Sequence, residues 1–217
     1  MNIQRLDLVD QVYNNLKNSI ISGELLPCSP LRQEDLANLL GVSRQPISHA
    51  LVLLEREGLL VDIGRKGKMV APIKPDQLLS LYQVRGALDG LAAQLCSQRV
   101  SPELEDQLHR LVDKGKLALK EGSVAKLVLA DTAFHRALYD FSGNREISKI
   151  ADTSWSHMLR SMHSVLEDTD LRPAIWEQHA QIVNAILAGD SLLAAELASH
   201  HALKSGEATY QRLKRTN

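Results

Sequence analysis

At 217 residues, with 44% hydrophobic and 24% charged residues, the chain has room for one small and one ordinary-sized domain, and no apolar run approaches the ~20 residues of a membrane span. The 25 Lys+Arg and 26 Asp+Glu leave a formal charge of -1, which excludes a global basic field, so any nucleic-acid contact must come from a local arrangement. Met1 to Asp10 lacks the order of an export signal, and Cys28 and Cys96 match no metal or redox spacing, so a cytosolic chain with two free thiols is expected.

The first expected helix runs from Leu8 to Ser22. Val9, Val12, Tyr13, Leu16 and Ile20 form its apolar face, and Gly23 ends it. From Gln33 to Ala71 the order is a short helix, a tight turn, a second helix and a glycine-punctuated basic hairpin, which describes a winged helix-turn-helix. Leu36, Leu39 and Leu40 give the short helix its stripe, and Gly41 supplies the left-handed residue that closes it. Ser43 is placed to cap the second helix. Ile47, Ala50, Leu51 and Leu54 recur there at the 3.6-residue period, which turns Arg44, Gln45, Ser48, His49 and Val52 outward, toward base edges if this helix enters a major groove.

After Gly58, Leu59 to Asp62 and Met69 to Ala71 read as two strands, with Gly64 and Gly67 bracketing Arg65 and Lys66 at the tip. Arg65, Lys66, Lys68 and Lys74 follow one another with no acid between Ile63 and Pro75. The DNA-facing set is therefore Ser43, Arg44, Gln45, Ser48 and His49 on the helix, and Arg65, Lys66, Gly67 and Lys68 on the wing. The competing reading is an ordinary helical hairpin followed by a small ribbon that binds no nucleic acid.

Pro72 to Pro75 reads as a stiff connector, which divides the chain into a winged domain over residues 1–71, a linker over 72–75 and a helical domain over 76–217. Beyond the connector, helices are expected at about Asp76–Gln98, Pro102–Glu121, Ser123–Ser142, Arg145–Glu167, Pro173–Ala188 and Ser191–Arg212, so the fold class is mainly α.

Asp131 and His135 stand four apart and project from one face of their helix. His179 and His201, on two other helices, offer a third and a fourth ligand. Three imidazoles and a carboxylate suit a divalent ion such as Zn, Ni, Mn or Co, with positions left for water or a small anion. His200 adjoins His201 and points some 100° away, so which of the two is the fourth ligand stays open. His49, His109, His157 and His163 read as non-ligands.

Leu36-Ala37-Asn38-Leu39-Leu40-Gly41-Val42-Ser43-Arg44-Gln45-Pro46-Ile47-Ser48-His49-Ala50-Leu51, followed by Leu54-Glu55-Arg56-Glu57-Gly58-Leu59, resembles the DNA-binding domain of GntR-family transcriptional regulators. The rest resembles the FadR-type (FCD) ligand-binding domain of that family, through Tyr82 to Asp89, Asp131 with Phe134 to Leu138, Ser142-Gly143-Asn144, His179 and His201. The resemblance implies an all-helical bundle in which Asp131, His135, His179 and His201 bind a divalent metal and a carboxylate effector coordinates it. It also makes Arg85 the arginine that pairs with that effector, with Asn144 a second contact unless it only caps a helix. The family has an arginine and then a glutamate where this chain has Ser48 and His49, so its operator cannot be borrowed from relatives.

The expected function is a DNA-binding regulator, a repressor rather than an activator. It would act as a homodimer on a pseudo-palindromic operator and respond to a small carboxylate at the metal. Two rivals remain: a sensor whose effector is the ion itself, and a metal-dependent enzyme, for which no general base beside the metal is evident.

Overall fold

The computed structural model describes residues 4–64, 67–166 and 172–216. The chain divides into two compact units between Ile73 and Lys74. The first holds α1 (Gln4–Ser22), β1 (Pro30–Leu31), α2 (Gln33–Leu40), α3 (Arg44–Arg56), β2 (Leu60–Asp62) and β3 (Lys68–Val70); the second holds α4 (Pro75–Ser97), α5 (Pro102–Glu121), α6 (Val124–Phe141), α7 (Arg145–Leu166), α8 (Arg172–Leu187) and α9 (Ser191–Thr216).

In the first unit, Val12, Leu16 and Ile20 of α1 pack on Ile47, Ala50, Leu51 and Leu54 of α3. Tyr13 and Lys17 both bond Glu57 just past α3, which fixes α1 as a brace for the reading helix. The α2–α3 turn depends on Gly41, whose φ of 65° is one that a Cβ disfavours; the next residue's N–H returns to Ala37 O. Leu39, expected on the buried stripe, is 79% exposed, and Ala37 takes its place in the core. Over only two turns, small shifts in phase decide which apolar residue faces inward.

The wing is a three-stranded antiparallel sheet in the order β1-β3-β2, with Val61 opposite Met69 and Asp62 opposite Lys68. β1 is an element that the sequence pattern does not announce. It pairs Pro30 with Met69 and Leu31 with Lys68, and it sets Leu31 into the core. At the tip, Gly64 N–H donates to the Asp62 carboxylate and Ile63 N–H to Gly67 O.

In the second unit α4 lies along α9, α5 pairs with α6, and α8 packs on α5 and α9. Local chemistry sets the bounds: Pro102 opens α5 with the Ser101 hydroxyl capping Leu104 N, and Ser123 caps Lys126 N after Gly122 closes α5. Gly115 lets α5 and α8 approach, since a Cβ there would lie 2.1 Å from the Trp176 ring. Cys28 is exposed and Cys96 buried, both free, and burial pushes the Cys96 thiol up to about 12. Among the described residues no helix is long and apolar enough to cross a membrane.

Candidate metal centre and DNA-reading face

Four side chains from three helices converge inside the helical unit. Asp131 and His135 come from the face of α6 that also buries Phe134 and Leu138. His179 comes from α8 beside Trp176, and His201 from the α9 line that buries Ala194, Ala198 and Ala202. None is more than 5% exposed, and one ligand atom from each lies within 4.8 Å of the others. His200 is exposed while His201 is 3% exposed, so it is His201 that joins the buried cluster.

The spacings fit a first-row divalent ion. His179 Nε2 is 3.1 Å from His201 Nε2 and 3.5 Å from Asp131 Oδ1, and His135 Nε2 is 3.7 Å from Asp131 Oδ2. Ligands ~2.1 Å from a shared ion lie about 3.0 Å apart at right angles, about 3.4 Å at the tetrahedral angle and about 4.2 Å when opposed. Asp131 Oδ2 and His135 Nε2 are buried with no hydrogen-bond partner, a cost that a cation between them removes. Burial, then the neighbouring His201 and His135 imidazoles and Arg85, holds His179 well below the usual histidine range. Burial, His135 and Arg85 act on His201 in the same direction. Both rings are thus neutral, the form in which a ring nitrogen can coordinate.

A second layer orients these ligands. Gln178 Oε1 lies 2.8 Å from His201 Nδ1, and Asp89 Oδ2 lies 3.2 Å from His135 Nδ1. Phe134 stacks on His179 with ring centroids 4.1 Å apart, and Trp176 meets that ring edge-on at 4.7 Å. Burial alone would raise Asp89, but His135 and Arg85 outweigh it and hold the carboxyl well below the usual range. Asp89 also accepts from the Tyr139 hydroxyl and from Arg85 Nε at 3.2 Å. The sequence reading gave Asp89 no role, although its spacing four after Arg85 was the available signal; Gln178 and Tyr139 carried none.

Arg85 is 4% exposed. Its NH2 has no hydrogen-bond partner, lies 3.9 Å from Asp131 Oδ2, and faces a cavity of about 20 Å³ bounded also by Tyr82, Met162, Leu166, Ile175 and His201. That space holds about one water. Asn144 does not line it: its Oδ1 accepts from Glu146 N and caps α7, the alternative to an effector contact. His163 lies outside the residues whose side chains are described.

In the winged unit Arg44, Gln45 and His49 are exposed on α3, and Ser48 is half-buried. Ser43 occupies the N-cap position without a side-chain capping bond, so the expected cap is replaced by an exposed hydroxyl. Arg44 pairs with Glu34 of α2 at 2.7 Å. Lys68 turns back toward the unit, with Nζ 2.6 Å from Glu55 and 3.7 Å from Asp62, while Gly67 is exposed. Arg65 and Lys66 lie outside the described residues.

A winged helix-turn-helix carrying an all-helical domain defines the class, a DNA-binding regulator. The family model "Bacterial regulatory proteins, gntR family" matches residues 8–70, and "FCD domain" matches residues 80–204. The chain belongs to the GntR family of transcriptional regulators, with an FCD domain as its helical part. It is 30% identical over 143 residues to an uncharacterized HTH-type transcriptional regulator, YdhC, of Bacillus subtilis, a match spanning 65% of this chain and 64% of that relative. It is 28% identical over 199 residues to the HTH-type transcriptional repressor GlaR of Escherichia coli, covering 88% of this chain and 90% of GlaR. In fold it is similar to E. coli McbR/YncC, with a TM-score of 0.80 at 23% identity over 95% of this chain and 98% of that one.

Proposed function

We propose that this regulator is a cytosolic repressor that grips a pseudo-palindromic operator as a homodimer. Its affinity changes when a small carboxylate reaches a divalent ion held by Asp131, His135, His179 and His201. The observation that carries this reading is the buried convergence of those four side chains beside an Arg85 NH2 that has no hydrogen-bond partner. Bound there, the ion supplies positive charge and open coordination positions. The chain's own groups do the rest. Gln178 and Asp89 hold two imidazoles in place, Asp89 draws Arg85 Nε aside so that NH2 is left for an anion, and Met162, Leu166 and Ile175 limit the space beside it to about one water.

Repression is supported by the similarity to GlaR, a transcriptional repressor. Paired recognition helices ~34 Å apart would meet successive major-groove faces of a two-fold operator. The effector must prefer one spacing of the paired heads, because equal affinity for both shifts nothing. The test is a screen of small carboxylates, with metal-loaded protein, for release from the DNA upstream of its own gene. At least one acid is expected to lower affinity five- to 150-fold or so, the usual span of coupling. Release by none would remove the carboxylate from the account.

The size of the cavity favours a second reading, in which the ion alone is the effector, since about 20 Å³ admits a water but no carboxylate without movement of Met162 or Leu166. Metal titration against operator binding, with no organic acid present, separates the two.

A further inference from the structure

The DNA-reading face carries an internal competitor for its own arginine. An open cleft of about 960 Å³ lies between the starts of α2 and α3 and the wing. Among the described residues, the cations lining it, Arg32, Arg44 and Lys68, are equalled in number by the acids Glu34, Asp35 and Asp62. Lys68 is already engaged by Glu55 and Asp62. Arg44, in the first turn of the recognition helix, has its NH2 2.7 Å from Glu34 Oε1. Both partners are about two-thirds exposed, at 66% and 67%, so the pair sits where a duplex would arrive rather than beneath it.

We propose that Glu34 is a specificity-determining residue: it holds Arg44 until a guanine displaces it, and its freed carboxylate then accepts from a cytosine amino group in the same or the neighbouring base pair. The chemistry follows from the groove edges. Guanine presents two acceptors, N7 and O6, which suit the guanidinium fork, whereas cytosine presents only its N4 donor, which a carboxylate can accept. An exposed ion pair in water is weak enough to yield to such a partner. At an A·T pair Arg44 finds one acceptor, adenine N7 or thymine O4, in place of the guanine fork and stays with Glu34, whose carboxylate next to the phosphates is repelled. Glu34 thus penalises non-cognate DNA more than the operator, a discrimination by built-in repulsion. It also reduces the non-specific attraction that cations without acidic partners on this face would create.

The test is selection of operators from randomised duplexes by the full-length wild-type chain, E34Q and R44A, followed by affinities for the selected and scrambled duplexes at several salt concentrations. For E34Q the preference for guanine-cytosine at one pair per half-site is expected to fall about tenfold, the size of one good base contact. Binding to scrambled duplex should tighten, with a steeper dependence on salt. In an R44A background Glu34 has no guanidinium to hold, so adding E34Q should still cost the carboxylate's own share of the discrimination but change it by less than in the wild-type chain. The proposal is overturned if E34Q selects the same sequence with the same ratio of specific to scrambled affinity, or if it weakens both duplexes equally. Since Glu34 is exposed, loss of the fold does not confuse the outcome.

Discussion

Replacing Gly115 by Ala sets two known effects against each other at one position. Inside a helix alanine is better than glycine by ~1 kcal/mol, so on propensity alone the variant gains. Packing says the opposite. The new Cβ would fall 2.1 Å from Trp176 Cη2 and Cζ3 and 2.2 Å from Cε3, more than an ångström inside ordinary contact. Trp176 is 2% exposed, so its ring has no solvent to turn into, and α5 and α8 must part. Overpacking of this kind costs ~1 to 3 kcal/mol, and the backbone involvement here places it at the upper end. The difference is a net loss of about 2 kcal/mol, or roughly 4 to 8 °C in Tm for a chain of this size. Both tryptophans, Trp155 and Trp176, lie in the helical unit, so their fluorescence reads that unit alone during thermal or denaturant unfolding. Because Trp176 meets His179 edge-on, ion affinity should fall along with stability. A G115A protein as stable as wild type, or more so, would refute the close approach of α5 and Trp176 and this account of how His179 is positioned.

Three further outcomes follow from the same geometry. In chelated protein His179 and His201 are held neutral by burial, while the unfolded chain takes up protons near pH 6.5. Stability should therefore be complete above that pH and fall below it, by up to ~1.4 kcal/mol per pH unit for each histidine; a denaturation midpoint indifferent to pH between 7 and 5 would contradict this. H179A or D131N should lose the bound divalent ion by elemental analysis, and with it the ~2.7 kcal/mol that an ion at a hundred times its Kd adds; equal metal content in wild type and variants would move the site elsewhere. R44A should weaken specific operator binding by ~1 to 3 kcal/mol at fixed salt, measured by fluorescence anisotropy, and an unchanged affinity would remove Arg44 from the base-reading set.

Most helices were legible because their ends are written in local chemistry. Pro102 after Ser101, Gly122 before Ser123 and Gly143 before Asn144 act within a few residues, and the observed ends fall within a few residues of the expected ones. β1 was not legible, because Pro30 and Leu31 form a strand only by pairing with Lys68 and Met69, and two residues carry no alternation to read. Within the site, the spacing of Asp131 and His135 was a local signal. His179 and His201 were only histidines on other helices until the family resemblance tied them to that pair, and only burial separates His201 from His200. The roles of Asp89, Gln178 and Tyr139 depend on contacts between helices, which no one segment encodes. The Arg44–Glu34 pair was hidden for the same reason, since its members belong to different helices ten residues apart.

The central claim is that an ion held in the helical unit governs how tightly the winged unit holds DNA. It is tested most directly by the operator affinity of one purified preparation at constant salt, before chelation, after chelation and after reloading with zinc. Reversible change of at least about fivefold, absent from H135A and H179A, is the result the account predicts. The same affinity in all three states, with elemental analysis showing that the ion came and went, would contradict it.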